Sequence, residues 1–225
     1  MALIAPSLLA ADFARWGEAL QLIKQSGAPM VHVDVMDGHF VSDISVGQPV
    51  IKSLRKATDL VLDVHLLIER PERFAQDFLE AGADRLAVHA ESTLRLPGLL
   101  EFIRARGAKA GVALNPATPT EAVSELLGEF DFLVIMAAEP RLQTHPRDYR
   151  PRTIAKIRQV VQAREAGRQH FAIQVEGGGV EFDNEIVQAG ADILVAGSNI
   201  FLDGDPKARL AEMIRLAASP QVSSV

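Results

Sequence analysis

The stretch Val31-His-Val-Asp-Val-Met-Asp-Gly38 decides how the rest of the chain is read. β-Branched Val31, Val33 and Val35 alternate with His32, Asp34 and Met36, the period-2 pattern of a strand. That parity puts His32 and Asp34 on one face and the valines on the other. An imidazole and a carboxylate two apart on a rigid strand can hold a divalent metal or work as an acid–base pair. Taken alone, His-x-Asp is more often a buried hydrogen-bonded pair. Further on, however, Asp63-Val-His65-Leu-Leu67 repeats the arrangement and brings a second His to the end of a second strand.

Outward from these two segments the chain alternates strand and helix patterns. Strands are expected over 3–9, 30–35, 60–66, 85–89, 110–114, 131–136, 171–176 and 193–196. Helical patterns follow them over 12–26, 49–56, 71–82, 94–106, 120–127, 153–166, 183–189 and 205–217. In the first helix Asp12 is the expected cap, and Phe13, Trp16, Leu20 and Ile23 form the apolar stripe. Gly27-Ala28, Gly82-Ala83, Gly107-Ala108 and Gly190-Ala191 recur between a helix and the next strand, where glycine suits the left-handed C′ position. Eight βα units predict a closed parallel (β/α)8 TIM barrel forming one domain over 1–225, with a frayed tail at about 220–225.

Composition agrees and excludes several classes. A chain of 225 residues with 48% hydrophobic and only 5% aromatic content supports a full, mostly aliphatic core, as in buried parallel strands. The net charge of −6 argues against a nucleic-acid or anionic-membrane surface. With no cysteine there is no disulfide framework, thiol nucleophile or thiolate metal site. The apolar N-terminus lacks a basic n-region and runs into a helical pattern at Asp12, so it reads as the first strand of a cytoplasmic protein. No apolar run is long enough to span a bilayer.

Barrel enzymes keep their chemistry at the C-terminal ends of the strands. The polar residues expected there are Ser7, His32, Asp34, His65, His89, Glu91, Asn115, Glu176, Gly177, Gly178, Gly179, Gly197 and Ser198. Two His and two carboxylates from three strands suit a nitrogen/oxygen site for zinc, with iron, manganese or cobalt as alternatives. Glycines after strands seven and eight suit a phosphate, because bare backbone N–H groups approach an anion closely. His89 and Glu91 read first as a structural hydrogen bond, and Asp37 as the cap of a turn at Gly38.

These residues carry a resemblance. From Ile4-Ala-Pro-Ser-Leu-Leu9 to Val195-Ala-Gly-Ser198 the chain resembles the ribulose-phosphate 3-epimerase family. The matching stretches are His32-Val-Asp-Val-Met-Asp-Gly-His-Phe40, Asp63-Val-His-Leu-Leu67, Val88-His-Ala-Glu91 and Leu114-Asn-Pro-Ala-Thr-Pro119. The resemblance implies a metal-dependent (β/α)8 enzyme that interconverts D-ribulose 5-phosphate and D-xylulose 5-phosphate. It makes His32, Asp34 and His65 metal ligands and Asp34 one of two acid–base carboxylates. Ser7 and His65 would touch substrate, Met36 would cap the reacting carbons, and Gly197 and Ser198 would hold the phosphate. Epimerisation next to a ketone removes a proton from one face and returns it to the other, so two carboxylates are needed.

Two features depart from the family pattern. Glu176 stands where an Asp is usual, in Val175-Glu-Gly-Gly-Gly-Val180. With Glu176 in register it becomes the fourth metal ligand and second acid–base group, although its extra methylene would carry the carboxylate about 1.5 Å further into the site. An alignment anchored on Gly178-Gly179 would instead leave Gly177 there and no carboxylate. Slow epimerase activity is the expectation. After strand six, Glu139-Pro-Arg-Leu-Gln-Thr-His-Pro-Arg-Asp-Tyr-Arg150 replaces a glycine-rich loop, and Arg141, Arg147, Arg150 or Arg152 would have to bind the phosphate unless the loop is plain solvated surface. The expected partner is therefore a sugar phosphate, with no nucleic acid or membrane, in a homo-oligomer. A hexulose 6-phosphate epimerase and a weak or inactive sugar-phosphate binder are the alternatives.

Overall fold

The computed structural model describes residues 2–139, 150–177 and 184–218. Eight strands carry the fold: β1 (Leu3–Pro6), β2 (Met30–Met36), β3 (Val61–Leu67), β4 (Arg85–His89), β5 (Lys109–Leu114), β6 (Phe132–Met136), β7 (Ala172–Glu176) and β8 (Ile193–Ala196). All neighbours pair in parallel, in the order β1-β8-β7-β6-β5-β4-β3-β2. The ring closes between β1 and β2 through an isolated parallel bridge, Ser7 to His32. This is the (β/α)8 TIM barrel that the strand–helix alternation predicts.

The helices are α1 (Trp16–Ser26), α2 (Gln48–Ala57), α3 (Ala75–Glu80), α4 (Leu96–Ala105), α5 (Arg150–Ala166), α6 (Asn184–Ala189), α7 (Ser198–Phe201) and α8 (Pro206–Ala218). The expected glycine–alanine junctions hold: Gly27, Gly82, Gly107 and Gly190 all take positive φ, and the alanine after each is buried. Helix starts differ more. Asp12 accepts from Ala14 N at 3.0 Å but caps a 3-10 turn over Phe13–Arg15, and Phe13 lies off the apolar stripe in solvent. The segment read as a helix after Pro119 is a 3-10 helix, Thr120–Leu126. No helix among the described residues is long and apolar enough to cross a membrane.

Strand parity divides the core into two. Outward residues such as Val31, Val33, Val35, Leu62, Val64, Leu66, Val112 and Leu133 pack with the helices into one large apolar cluster. Inside the barrel the apolar filling is smaller. Ala87, Ala113, Phe132, Val134 and Met136 form one group, and Ala5, Met30, Ile193 and Val195 another. Met36 and Leu67 close a third at the strand ends, and much of the rest of the interior is polar: His32, Asp34, Asp63, His65, His89, Gln174 and Glu176 are all buried. Residues two apart on one strand stack as successive interior layers. Asp63 and Gln174 therefore lie beneath His65 and Glu176.

Gly111 makes room for this interior. It pairs with Phe132 across β5 and β6, and a Cβ at Gly111 would stand 2.3 Å from the Phe132 ring. The same ring carries the Arg85 guanidinium 3.8 Å from its centroid. Gly111→Ala is expected to push the ring off Arg85 and to destabilise the protein by about 1–3 kcal/mol, the usual cost of overpacking. Urea unfolding checks this; a midpoint unchanged from the parent would mean that Phe132 turns aside without cost.

Candidate metal centre

His32 and Asp34 leave β2 on its interior face, His65 leaves β3 and Glu176 ends β7. Each offers a ligand atom, and these atoms all lie within 4.8 Å of one another, on four buried residues. His32 Nε2 is 3.1 Å from Asp34 Oδ1 and 3.3 Å from Glu176 Oε2. His65 Nδ1 is 3.2 Å from Glu176 Oε2 and 3.5 Å from Asp34 Oδ1. The register with Glu176 at the strand end is the one formed: Glu176 pairs with Met136, and Gly177 follows at φ 87°.

The donor set fits a metal ion. His65 Nδ1, His65 Nε2 and Glu176 Oε2 are buried without a hydrogen-bond partner, although the contacts across the cluster are short. Buried polar atoms are normally satisfied, so such a group needs an explanation. Ligand atoms around a four-coordinate zinc stand roughly 3.3 Å apart, given metal–ligand bonds of about 2.0–2.1 Å. The four contacts above scatter about that value, and of them only His32 Nε2 to Asp34 Oδ1 has hydrogen-bond geometry.

Electrostatics show the same need for positive charge. Burial works against protonation of His32, yet Glu176, Asp34 and Asp63 together hold it well above its ordinary range. His65 is likewise opposed by burial, but Glu176 and Asp34 raise it to about 9. Burial alone would raise the Asp34 carboxyl, whereas His32 and His65 hold it well below the usual carboxylate range. A divalent ion among these four side chains would supply that positive charge, and its binding would compete with protonation of the imidazoles.

Residues around the cluster orient it. His32 Nδ1 donates to Asp63 Oδ2 at 2.7 Å, fixing which nitrogen faces the cluster. Asp63 also accepts from Arg85 Nε at 2.7 Å and Gln174 Nε2 at 3.0 Å. Ser7 Oγ donates to Asp34 Oδ2 at 3.0 Å. Ser45 Oγ donates to the Asp34 carbonyl at 2.7 Å and accepts from Met36 N at 2.9 Å, which anchors the end of β2. Sequence reading left Arg85, Gln174 and Ser45 out. Arg85 and Gln174 are 89 residues apart, and only closure of the barrel makes them neighbours.

The other expected residues are placed as follows. Met36 joins Val41 and Leu67 in a small apolar cluster with Leu9 and Phe40 packed against it. Gly197 lies against Ser7 and Ala10, and Ser198 is exposed at the start of α7. Gly177 packs beside Ala138. Gly178, Gly179, Arg141, Arg147, His145 and the tail 220–225 lie outside the described residues. Arg150 and Arg152 begin α5 exposed, with Arg150 3.5 Å from Glu185. Asp37 caps its turn as expected, accepting from His39 N and Phe40 N at 2.8 and 2.9 Å, and also from Glu69 N at 2.8 Å. His89 Nδ1 meets Glu91 Oε2 at 3.2 Å, the pairing read from sequence.

Comparison with known proteins sets this geometry in context. The model of the ribulose-phosphate 3 epimerase family matches residues 3–201. The ribulose-phosphate 3-epimerase of Bacillus subtilis is 39% identical over 212 residues, covering 93% of this chain and 97% of its own. That of Mycobacterium tuberculosis is 40% identical over 219 residues, covering 96% and 93%. Among solved structures, the tryptophan synthase A-subunit of Pyrococcus furiosus superposes with a TM-score of 0.66 at 14% identity, covering 96% of this chain and 97% of its own, which is a likeness of fold alone.

Proposed function

The chain belongs to the ribulose-phosphate 3-epimerase family, and from that premise we propose that it interconverts D-ribulose 5-phosphate and D-xylulose 5-phosphate by moving the proton on C3. The observation that carries this reading is the meeting of two carboxylates from separate strands, Asp34 on β2 and Glu176 on β7, at one pair of imidazoles. In the ring order β2-β1-β8-β7 these strands are three steps apart, so the carboxylates approach from different sides. That is the arrangement a proton transfer on two faces needs.

His32, Asp34, His65 and Glu176 would hold one divalent ion, zinc by the nitrogen/oxygen character of the set. When bound, the ion supplies positive charge for the sugar oxygens that become negative as C3 loses its proton. The chain's own residues do the rest. Asp34, oriented by Ser7, accepts the proton from C3. Glu176 stands on the other side to return one. Met36 lies over the reacting carbons and, with Leu67 and Val41, keeps water from the intermediate. Ser7 and His65 contact the sugar. Gly177, Gly178, Gly179, Gly197 and Ser198 receive the phosphate through backbone N–H groups, helped by an arginine at the start of α5. One domain over the whole chain, a homo-oligomeric assembly, a cytoplasmic location and partners limited to sugar phosphates belong to the same proposal.

The test is a coupled epimerase assay on chelator-treated protein, before and after return of zinc, manganese, iron(II) or cobalt, with pentulose 5-phosphates and a hexulose 6-phosphate as substrates. One equivalent of metal and metal-dependent turnover of ribulose 5-phosphate are expected. Turnover of the hexulose phosphate alone would move the substrate assignment, and no turnover of any ketose phosphate would leave a binder.

A further inference from the structure

We propose that His89 is a positioning residue for His65, its ring replacing the hydrogen-bond partner that this metal ligand lacks. The inference rests on the ligand set proposed above. A metal-binding imidazole usually donates its second ring N–H to a carboxylate or carbonyl, which fixes both tautomer and ring plane. His32 obeys this through Asp63. His65 does not: it is fully buried, and neither ring nitrogen has a hydrogen-bond partner. Its Nδ1 meets Glu176 and Asp34 at 3.2 and 3.5 Å, but those contacts belong to the cluster itself, and Nε2 has no partner outside the cluster to fix the ring about the Cβ–Cγ bond.

What does face the His65 ring is another ring. His89 lies nearly parallel to it, with centroids 4.9 Å apart and planes 16° apart. Offset stacking of aromatic rings is favourable and sensitive to orientation, so a fixed ring on one side selects the plane of its neighbour. His89 is itself held from two directions. Its Nδ1 meets Glu91 Oε2 at 3.2 Å, and the Phe40 ring packs on it with centroids 4.8 Å apart.

Glu91 is in turn anchored to the end of β5. Its Oε1 accepts from Asn115 N at 2.8 Å and from the Thr118 hydroxyl. The Asn115 carbonyl accepts from Lys156 Nζ on α5 at 2.8 Å. The plate against His65 is thus tied to β4, β5 and α5, none of which contributes a ligand to the cluster. Ordinary core packing would need a ring-sized apolar group here but not this anchoring.

Two variants separate the ring from its anchor. His89→Phe keeps the ring and loses the bond to Glu91, whose Asn115 and Thr118 donors remain; His89→Gln can keep that bond and loses the ring. Cobalt(II) affinity is measured by competition with a chelator, together with the visible spectrum of the cobalt-loaded protein and the melting temperature of the metal-free protein. His89→Gln is expected to weaken cobalt binding roughly 10- to 100-fold, the usual effect of losing an orienting partner, and to change the band shape. His89→Phe should retain most of the affinity and the parent spectrum. Equal affinities in both variants, or a weaker His89→Phe, would overturn the proposal, as would a change in melting temperature without any change in cobalt binding. His65→Ala, measured alongside, isolates the premise: cobalt retained by that variant would refute the ligand set itself, whereas cobalt lost there but kept in His89→Gln would refute only the positioning role.

Discussion

Asp34→Asn and Glu176→Gln are each expected to lower epimerase turnover by about 10²- to 10⁴-fold, the range that a positioned acid–base group supplies. The two substitutions should differ in which substrate they spare. With separate groups on two sides of C3, either variant still has one carboxylate to remove a proton from one epimer. Each should therefore exchange the C3 proton of one epimer with solvent deuterium, and the two variants should choose opposite epimers. Exchange lost on both epimers in both variants, with metal still bound, would mean that the carboxylates do not divide the two faces. Metal content must be measured in parallel, because both side chains also belong to the ligand set. Glu176→Asp adds a third reading. It withdraws the carboxylate by about 1.5 Å, out of contact with the two imidazoles it now approaches at 3.2 and 3.3 Å. Displacement of about 1 Å can cost on the order of 100-fold in rate, so the shorter residue should be the worse one on this backbone.

Arg85→Met should be the most destabilising single change away from the cluster. Asp63 is 1% exposed and is held below the usual carboxylate range: burial alone would raise it, but His32 and Arg85 outweigh burial. Removing one member of a buried charged pair costs about 3–5 kcal/mol, because the other charge is left uncompensated. Here His32 and Gln174 still reach Asp63, which argues for the lower end. For a chain of this size about 3 kcal/mol lowers the melting temperature by on the order of 10 °C. Pairing Arg85→Met with Asp63→Asn should recover part of the loss, since a neutral amide can be satisfied by the same neighbours. A single variant that melts within a degree of the parent would show that Asp63 is compensated without Arg85. The sign with pH follows from the shift. A carboxyl whose folded pKa is depressed contributes stability above its unfolded pKa and loses it as pH falls. Loss of Arg85 should therefore matter most at neutral pH and least in acid.

The barrel was legible because buried parallel strands write themselves as runs of Val, Ile, Leu and Ala, with glycine at the turns beneath. Strand bounds came within about three residues of those formed, the first strand ending at Pro6 rather than residue 9. Helix starts were harder to read. Arg70 sits at φ 54° and opens a 3-10 turn, Pro71–Arg73, before α3, and nothing in local periodicity announces a left-handed arginine. The four-residue α7 is too short to show a period at all. At the site, parity alone placed His32, Asp34 and His65 on interior faces. The reach of Glu176 could not be judged without the backbone, because one methylene decides whether it meets the imidazoles. Arg85 and Gln174 escaped notice for another reason. A strand's first residue and a glutamine in mid-strand mean nothing until the sheet has closed into a ring.

That closure has a seam. Every other junction is a ladder of at least two paired residues, whereas β1 meets β2 through Ser7 and His32 alone. Ser7 also bonds Asp34, so the barrel's sparsest stitching lies at its reactive end. Glu176 belongs to the side reached through β8, and His32, Asp34 and His65 to the other. Whatever these four side chains grip together therefore buckles the staves across the gap, and the grip that serves chemistry also keeps the cask shut.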